Sequence, residues 1–509
     1  MKHQLLFFFC CLVFAETGYS QLIFQKTYGG SGDNQGYCIQ QTTDGGYIIT
    51  GKSTSLGWAD ILIIRTDASG DTLWTKAMGG TGYEVITSVR QTSDGGFILA
   101  GTYLPPPSIS YALLMKMDSV GNILWTKAYG NGFTQEARCV QQTTDGGYIL
   151  CGSVVVFGNT TNDFLLMKTD STGSVMWSKY FGTSSSDFAH YVEQTFDGGY
   201  VFTGDNGFSS FNIKTDNNGD VQWTKAFSGA MGFSLHQTSD SGYAMMGYRG
   251  GLGSGGADIF FSKTDSAGNH LWSYQYGGNN FDRGYSFSET TDGNYILSGL
   301  LYDSIVYQSI LMKIDQAGSI LWSKVYGTSS FSQGGYVIQT SDGGYASIGK
   351  YDSNNNYIYF VKTDSTGFSG CNQSDTVISV NPGMAPGNFN IAWGSFSIGN
   401  VTPVMSIVQI PVSVNTPCIT SVVPEFTAHD DAMIISPNPT NGNFTVSVRN
   451  NDKKKVEIFN LYGEIVIDEI EFIETSMEIN LSKHAPGVYF VKVSDGIISV
   501  CKKVIISNY

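Results

Sequence analysis

An all-β fold is predicted for this chain, and three observations predict it: a composition suited to short strands and tight turns, three motifs that each recur seven times, and four strand-like runs within each recurrence. The chain has 509 residues, of which 62 are Gly, 13% are aromatic and 14% are charged. Abundant Gly, Tyr and Phe with few charges favour strands and turns over long helices. Hydrophobic residues make up 41%, so a large core can be buried and disorder along the whole length is excluded. Basic residues number 28 against 43 acids, a net charge of −15. That balance sets nucleic acid and anionic membrane aside as partners.

The repeats carry most of the information. Asp-Gly-Gly-aromatic begins at Asp44, Asp94, Asp145, Asp197 and Asp342, and weaker forms begin at Asp240 and Asp292. Basic-x-Asp-x-x-Gly begins at Arg65, Lys116, Lys168, Lys214, Lys263, Lys313 and Lys362. Aromatic-x-Lys, or a close variant, begins at Phe24, Trp74, Trp125, Trp177, Trp223, Trp272 and Trp322. These aromatic anchors lie 46 to 52 residues apart. Seven units of that length fill residues 21–368.

The third unit shows the elements in order. Glu136–Thr144 alternates in character, and the turn at Asp145 leads into Tyr148–Cys151. Asp163–Thr169 follows a variable loop, and the turn Asp170–Gly173 leads into Val175–Tyr180. Strands bounded by Asp-Gly and Asp-x-x-Gly turns are hairpins, and helical start and stop signals are absent. Four antiparallel strands per unit, repeated seven times, predict a seven-bladed β-propeller of four-stranded blades. The tight turns belong inside blades, so a blade runs from the Gln-Thr strand to the following aromatic strand. Under this phasing Leu22–Tyr28 is an orphan aromatic strand and Tyr357–Thr363 ends an incomplete blade. Pairing the two completes the seventh blade and puts Phe24 where Trp74 stands in the first.

On these residues the repeats resemble extracellular propeller-repeat proteins of the Bacteroidetes, whose units carry W-x-K-x-Y-G-G, Q-T-x-D-G-G-Y and K-x-D-x-x-G. The resemblance implies the fold and says little of a ligand, since propellers host many unrelated functions. The Trp series is expected to pack between adjacent blades. The repeated Asp and Gly supply turn geometry. A Gln or Glu three residues before the motif Asp, at Gln41, Gln91, Gln142, Gln194, Gln237, Glu289 and Gln339, is expected to hydrogen-bond between blades.

Site chemistry is sparse. Asp216–Asp220 suggests a calcium loop, but position twelve is Phe227 where a bidentate Glu is needed. The cysteines form no C-x-x-C pair and the histidines are scattered, so neither zinc nor any other cofactor is expected. Arg65, Arg90, Arg138, Arg249 and Arg283 do not recur at equivalent positions, which leaves a carboxylate-binding cluster unsupported. G-x-S-x-G, P-loop and H-E-x-x-H motifs are absent.

Both ends point to export. Lys2 and His3 precede an apolar run, Leu5–Ala15, that fits a signal peptide over residues 1–20. No later stretch is long and apolar enough for a membrane-spanning helix. Nine of the twelve prolines follow residue 369, and residues 369–431 read as a Pro-rich β spacer or linker. Cys371 and Cys418 flank it and are candidates to close it by a disulfide. Residues 432–509 read as a small β-sandwich. Their signature is Pro437, Asn438, Pro439, Gly442 and Phe444, then Leu461, Tyr462 and Gly463, then Pro486, Gly487 and Tyr489, and last Lys502 and Lys503. In these residues the segment resembles the type A C-terminal sorting domain of the type IX secretion system. The resemblance implies the type IX machinery as a partner and export through the periplasm to the cell surface or medium.

The expected function is therefore binding or adhesion, to a glycan or surface protein, without catalysis. The connections Leu104–Tyr111, Val154–Asp163 and Tyr248–Ala257 are the most variable and the first places to expect a ligand. The alternative is an extracellular carbohydrate-active enzyme with its site at the channel mouth. Two convergent carboxylates about 5–10 Å apart would mark it, whereas a mouth of Tyr, Asn and Ser would mark binding. A scaffolding role is the third reading.

Overall fold

The computed structural model describes residues 21–421 and 433–506. Short interruptions fall at 31, 56–58, 81, 107–108, 159, 251–255, 279, 303–304, 328–331, 354, 390, 402–405, 409–412, 439, 449–452, 461–464 and 495–498. The expected signal peptide lies outside the described residues. The chain divides into two units, Met1–Ser421 and Val422–Tyr509, and every regular element described is a strand.

The larger unit holds seven five-stranded antiparallel sheets. Four strands of each come from one sequence unit. In the first they are Asn34–Gln41, Tyr47–Ser53, Asp60–Thr66 and Thr72–Gly79, joined as successive hairpins. The third follows the same plan with Gln135–Gln142, Tyr148–Val154, Asp163–Thr169 and Val175–Gly182, within two or three residues of the sequence reading. The seventh takes its fourth strand from the start of the chain. Leu22–Gly29 pairs with Asn355–Thr363, setting Phe24 opposite Lys362, as Trp74 stands opposite Arg65. The expected placement of Phe24 holds.

Each first strand packs on the second strand of the sheet before it, and Asn34–Gln41 packs in the same way on Tyr345–Ser353 of the seventh. The repeated Gln side chains tie these junctions. Gln91 accepts from the Thr43 N–H at 3.0 Å, Gln142 from Ser93 at 2.8 Å and Gln194 from Thr144 at 2.8 Å. Gln237, Glu289 and Gln339 accept likewise from Phe196, Ser239 and Thr291. Gln41 accepts from Ser341 at 2.8 Å, linking the seventh unit to the first. This is the expected hydrogen bonding between units, made at an exposed level by half-buried side chains.

The aromatic anchors need a neighbour without a side chain. Trp177 lies on Gly219 of the next Asp-x-x-Gly turn, where a Cβ would come within 2.9 Å of the indole and φ is +77°. Trp125 on Gly173 and Phe24 on Gly70 repeat the contact. The Gly therefore serves both the turn and the indole stacked against it.

The stretch expected as a spacer is different in structure. Residues 373–421 form no separate unit but run past all seven sheets in reverse order, adding a fifth strand to the outer edge of each. Gln373–Asp375 pairs with Ile320–Tyr326 of the sixth sheet, Ser379–Pro382 with the fifth, and Gly387–Asn388 with the fourth. Ala392–Ser395, Gly399–Val401 and Ser406–Val408 take the third, second and first. Ser413–Ser421 then pairs along Leu22–Gly29. The physical reason is edge protection: seven exposed outer strands would otherwise offer unpaired N–H and C=O groups. In the third to sixth sheets the residue after the Trp holds this belt. Ser323 donates to the Thr376 carbonyl at 2.6 Å, Ser273 to Met384 at 3.2 Å and Ser178 to Phe396 at 2.5 Å. Proline suits such segments, since an outermost strand has one edge with no ladder to serve.

The smaller unit has a three-stranded sheet, Met433–Ser436, Asn443–Val448 and Ser476–Asn480, and a four-stranded sheet of Ile465–Phe472, Lys454–Asn460, Gly487–Ser494 and Ser499–Ile506. Phe444, Val446 and Ile479 of one share a core with Val456, Ile458, Val491 and Val504 of the other. This is the packing of a β-sandwich.

Candidate functional site

The repeated charged residues are structural. Lys168 Nζ bonds Asp145 at 2.8 Å, and the same pair recurs as Arg65–Asp44, Lys116–Asp94, Lys214–Asp197, Lys263–Asp240, Lys313–Asp292 and Lys362–Asp342. The basic side chain is buried on the third strand, and the Asp of the hairpin turn reaches over to meet it. Partial burial alone would raise the Asp145 carboxyl. Hydrogen bonds from Lys168, Thr143 and the Gly147 N–H outweigh that and hold it at about 2. The sequence reading assigned these Asp residues to turn geometry only, yet a basic residue recurs in register with each Asp and was the available signal.

The first strands converge instead on a cavity. A cavity of about 820 Å³ takes lining residues from the first strand of every sheet, within the usual size range of small-ligand sites. One wall is aromatic. Phe233 lies 4.9 Å from the His190 ring, 5.6 Å from Tyr248 and 6.0 Å from Tyr285, centroid to centroid. Behind it the Arg283 guanidinium sits between Tyr248 and Phe281, at 4.8 and 4.4 Å from their rings. Tyr37 and Tyr83 line the cavity from the first and second sheets.

Polar groups in the cavity are fixed by one another. Arg138 Nη1 lies 3.0 Å from His190 Nδ1, and His190 Nε2 lies 2.7 Å from Asp205. Because guanidinium only donates, Nδ1 accepts and Nε2 carries the proton toward Asp205. Burial lowers the His190 pKa against the pull of Asp205, so the imidazole is neutral at pH 7. Glu136 is the one carboxylate among the described lining residues, and Arg138 stands 3.5 Å from it. Arg90 donates to the Tyr336 hydroxyl at 2.5 Å, the Val89 carbonyl at 2.8 Å and Cys38 Sγ at 3.2 Å. Arg90 and Arg138 come from different levels of adjacent first strands. Their unequal repeat positions argued against a cluster in sequence, yet the fold brings both to this cavity.

Of the variable connections, Leu104–Tyr111 borders the cavity through Leu104 and Ser110. Val154–Asp163 carries Phe157, exposed beside Phe133. Tyr248–Ala257 contributes Tyr248 to the aromatic wall, and residues 251–255 lie outside the described residues. No group of three or more metal-ligating side chains occurs among the described residues.

In the smaller unit the signature residues hold turns and core. Pro437 follows the first strand after a cis Ser436–Pro437 bond. Asn438 Oδ1 accepts from the Ile505 N–H at 2.9 Å. Gly442 has φ +106°, and a Cβ there would meet the Ser482 backbone at 2.6 Å. Phe444 is in the core, while Pro486 and Gly487 are exposed ahead of buried Tyr489. The Tyr489 hydroxyl donates to the Ala485 carbonyl at 2.6 Å. Lys502 and Lys503 pair by backbone with Val491 and Phe490. Pro439, Leu461, Tyr462 and Gly463 lie outside the described residues.

Comparison with known proteins separates the two units. Residues 435–507 match the family of secretion system C-terminal sorting domains, and no curated protein matches the chain. Similar solved structures include Sqt1 from Chaetomium thermophilum, at 12% identity over 65% of this chain and 84% of that one, TM-score 0.36. The extracellular domain of a putative one-component system from B. thetaiotaomicron is 8% identical over 92% and 80%, TM-score 0.22. A GH43_12 protein from a capybara gut metagenome is 10% identical over 96% and 94%, TM-score 0.25. Likeness at that level transfers nothing to this chain. The family match gives the address: the secretion system C-terminal sorting domain over residues 435–507 marks a protein exported by type IX secretion to the cell surface or extracellular medium.

Proposed function

We propose that residues 21–421 form a closed seven-bladed β-propeller that binds a ligand in its central cavity, displayed or released outside the cell by the type IX machinery acting on the tail. The seven Gln and Glu bridges, returning from Ser341 to Gln41, support closure. The observation that carries the binding reading is the cavity wall. Aromatic rings alternate there with hydroxyl, amide and guanidinium groups, and the single lining carboxylate is placed beside Arg138. Sugars offer apolar faces and hydroxyl edges, which such a wall matches. Hydrolysis by two carboxylates would need a second acid facing Glu136 across the cavity, and the described lining residues supply none.

A glycan array probed with the mature chain tests this reading. Binding is expected to be lost in Phe233→Ala and Tyr285→Ala while folding is retained. Binding that survives both substitutions would move the site elsewhere, and turnover of a bound glycan would favour the enzyme.

A further inference from the structure

We propose that the cavity selects an anionic ligand, an acidic saccharide whose carboxylate or sulfate sits against Arg90. This rests on the binding reading above and names its ligand class.

The argument begins with an unbalanced charge. Each cation of the repeated turn pairs has its carboxylate, and Arg138 has Glu136 at 3.5 Å. Arg90 has no carboxylate within 4 Å among the described residues. Its partners are a phenol, a peptide carbonyl and a thiol, and its guanidinium stands 5.3 Å over the Tyr336 ring. The nearest acid of its own tier is Glu193. That carboxylate is taken by His236 at 3.0 Å and by the Gln237 N–H. Other side chains at the same level are committed too: Gln40 accepts from the Gln91 N–H and Gln141 from Gln194. The protein thus supplies Arg90 with dipoles and no counter-charge.

Holding a guanidinium in a low-dielectric site without an opposite charge is costly. A ligand carboxylate or sulfate removes that cost and gains a charge-assisted, bidentate-capable contact. Arg138 lines the same cavity and is only partly offset by Glu136, so the cavity carries net positive charge in a chain whose net charge is −15. The aromatic wall of Phe233 and Tyr285 serves the apolar face of the sugar ring. Arg90 reads its acid.

Calorimetry on the mature chain tests the proposal with three probes: trigalacturonate, a sulfated chondroitin disaccharide and neutral galactotriose. At least one acidic probe is expected to bind more tightly than galactotriose. Arg90→Met is expected to lower that affinity roughly 10- to 100-fold, and Arg90→Lys less. Arg90→Met gives up the bonds to Tyr336 and Val89 as well, so it should melt somewhat lower than wild type yet still elute as a folded species with an unchanged far-UV spectrum, and this separates ligand contact from loss of the fold. Whichever acidic arm binds identifies the carboxylate or the sulfate as the recognised group. Equal affinity of Arg90→Met and wild type for the acidic probes would overturn the proposal. Tight galactotriose binding that ignores Arg90 would overturn the anion inference and leave the binding reading standing. Absence of binding by all three probes, with an array also blank, would overturn both.

Discussion

Opening the belt covalently should cost more than any single contact in it. Cys371 is disulfide-bonded, and Gln25 locates the partner. Its side-chain amide donates to the Cys371 carbonyl at 2.5 Å, while its backbone pairs opposite Cys418. The start and the end of the belt therefore meet at one residue of Leu22–Gly29, and the Cys418 side chain lies outside the described residues. A Cys371–Cys418 bond would close a hoop of about 48 residues around the outer edges of the sheets, and a loop of that length is worth about 4 kcal/mol in the chain-entropy account. The double variant Cys371→Ser/Cys418→Ser should accordingly lose about 4 kcal/mol in urea-unfolding experiments, with a lower midpoint. Peptide mapping without reductant should recover the two cysteines in one linked fragment. A linkage of Cys371 to any other cysteine would refute the reasoning. So would a double variant within about 1 kcal/mol of wild type, a loss much smaller than a hoop of this length implies.

Three further outcomes are expected. A chain ending at Ser421 should elute as a monodisperse folded species, whereas one ending at residue 368 loses every fifth strand and should aggregate through seven bare edges; equal elution would show that the belt is dispensable. Deleting residues 432–509 should leave the folded body in the periplasm, and its arrival outside the cell at wild-type levels would contradict the sorting role. Burial, with neighbouring carboxylates adding to it, raises Asp187 and Asp258 to about 6, so the folded state binds extra protons below that pH and the melting temperature should rise as pH falls from 7 toward about 4.5. Below about 4 the trend should reverse, as Asp94, Asp145 and Asp240, held at about 2 by their Lys and Thr partners, lose their charge. A melting temperature flat between pH 7 and 4.5, or unaltered by Asp187→Asn with Asp258→Asn, would count against this account.

Legibility in the sequence follows the range of the interaction. Hairpin turns were readable because Asp-Gly-Gly and Asp-x-x-Gly act over four residues. Phasing was readable because Phe24 and the seventh unit each lacked what the other had. The belt was not, since strands of two to four residues such as Gly387–Asn388 are too short to show a period. Besides its prolines, its sequence trace is the Ser or Thr after Trp177, Trp223, Trp272 and Trp322, which reads as an ordinary strand residue until the partner carbonyl is seen. The cavity was illegible for another reason: Arg138, His190 and Phe233 share one place in their units, the first-strand bulge four residues before the repeated Gln, yet carry unlike side chains, and Arg90 stands at another level, so averaging over repeats removes them. Sites in a repeat fold depend on departures from the repeat, and those carry no internal signal of their own.

The first strand of the chain is the last to be completed. Leu22–Gly29 lies between Asn355–Thr363 and Ser413–Ser421, so its two edges wait for residues more than 300 positions later. Contacts of such separation form late, because the loop must close before they repay it. Gln25 is where this closure converges: fully buried, it accepts from the Tyr359 hydroxyl at 2.6 Å and donates to Ser369 at 2.8 Å besides Cys371. Substituting Gln25→Ala would strand the buried Tyr359 phenol, at about 1–3 kcal/mol, while Ser369 keeps its bond to Gln373 at 2.6 Å. The loss is confined to the seam, so limited proteolysis of the variant should cut first near the two ends of the belt and leave the other sheets protected, as expected of a local opening below the global unfolding energy. Cleavage spread evenly over the seven sheets, or a variant as resistant as wild type, would show that Gln25 is not what holds the ends together.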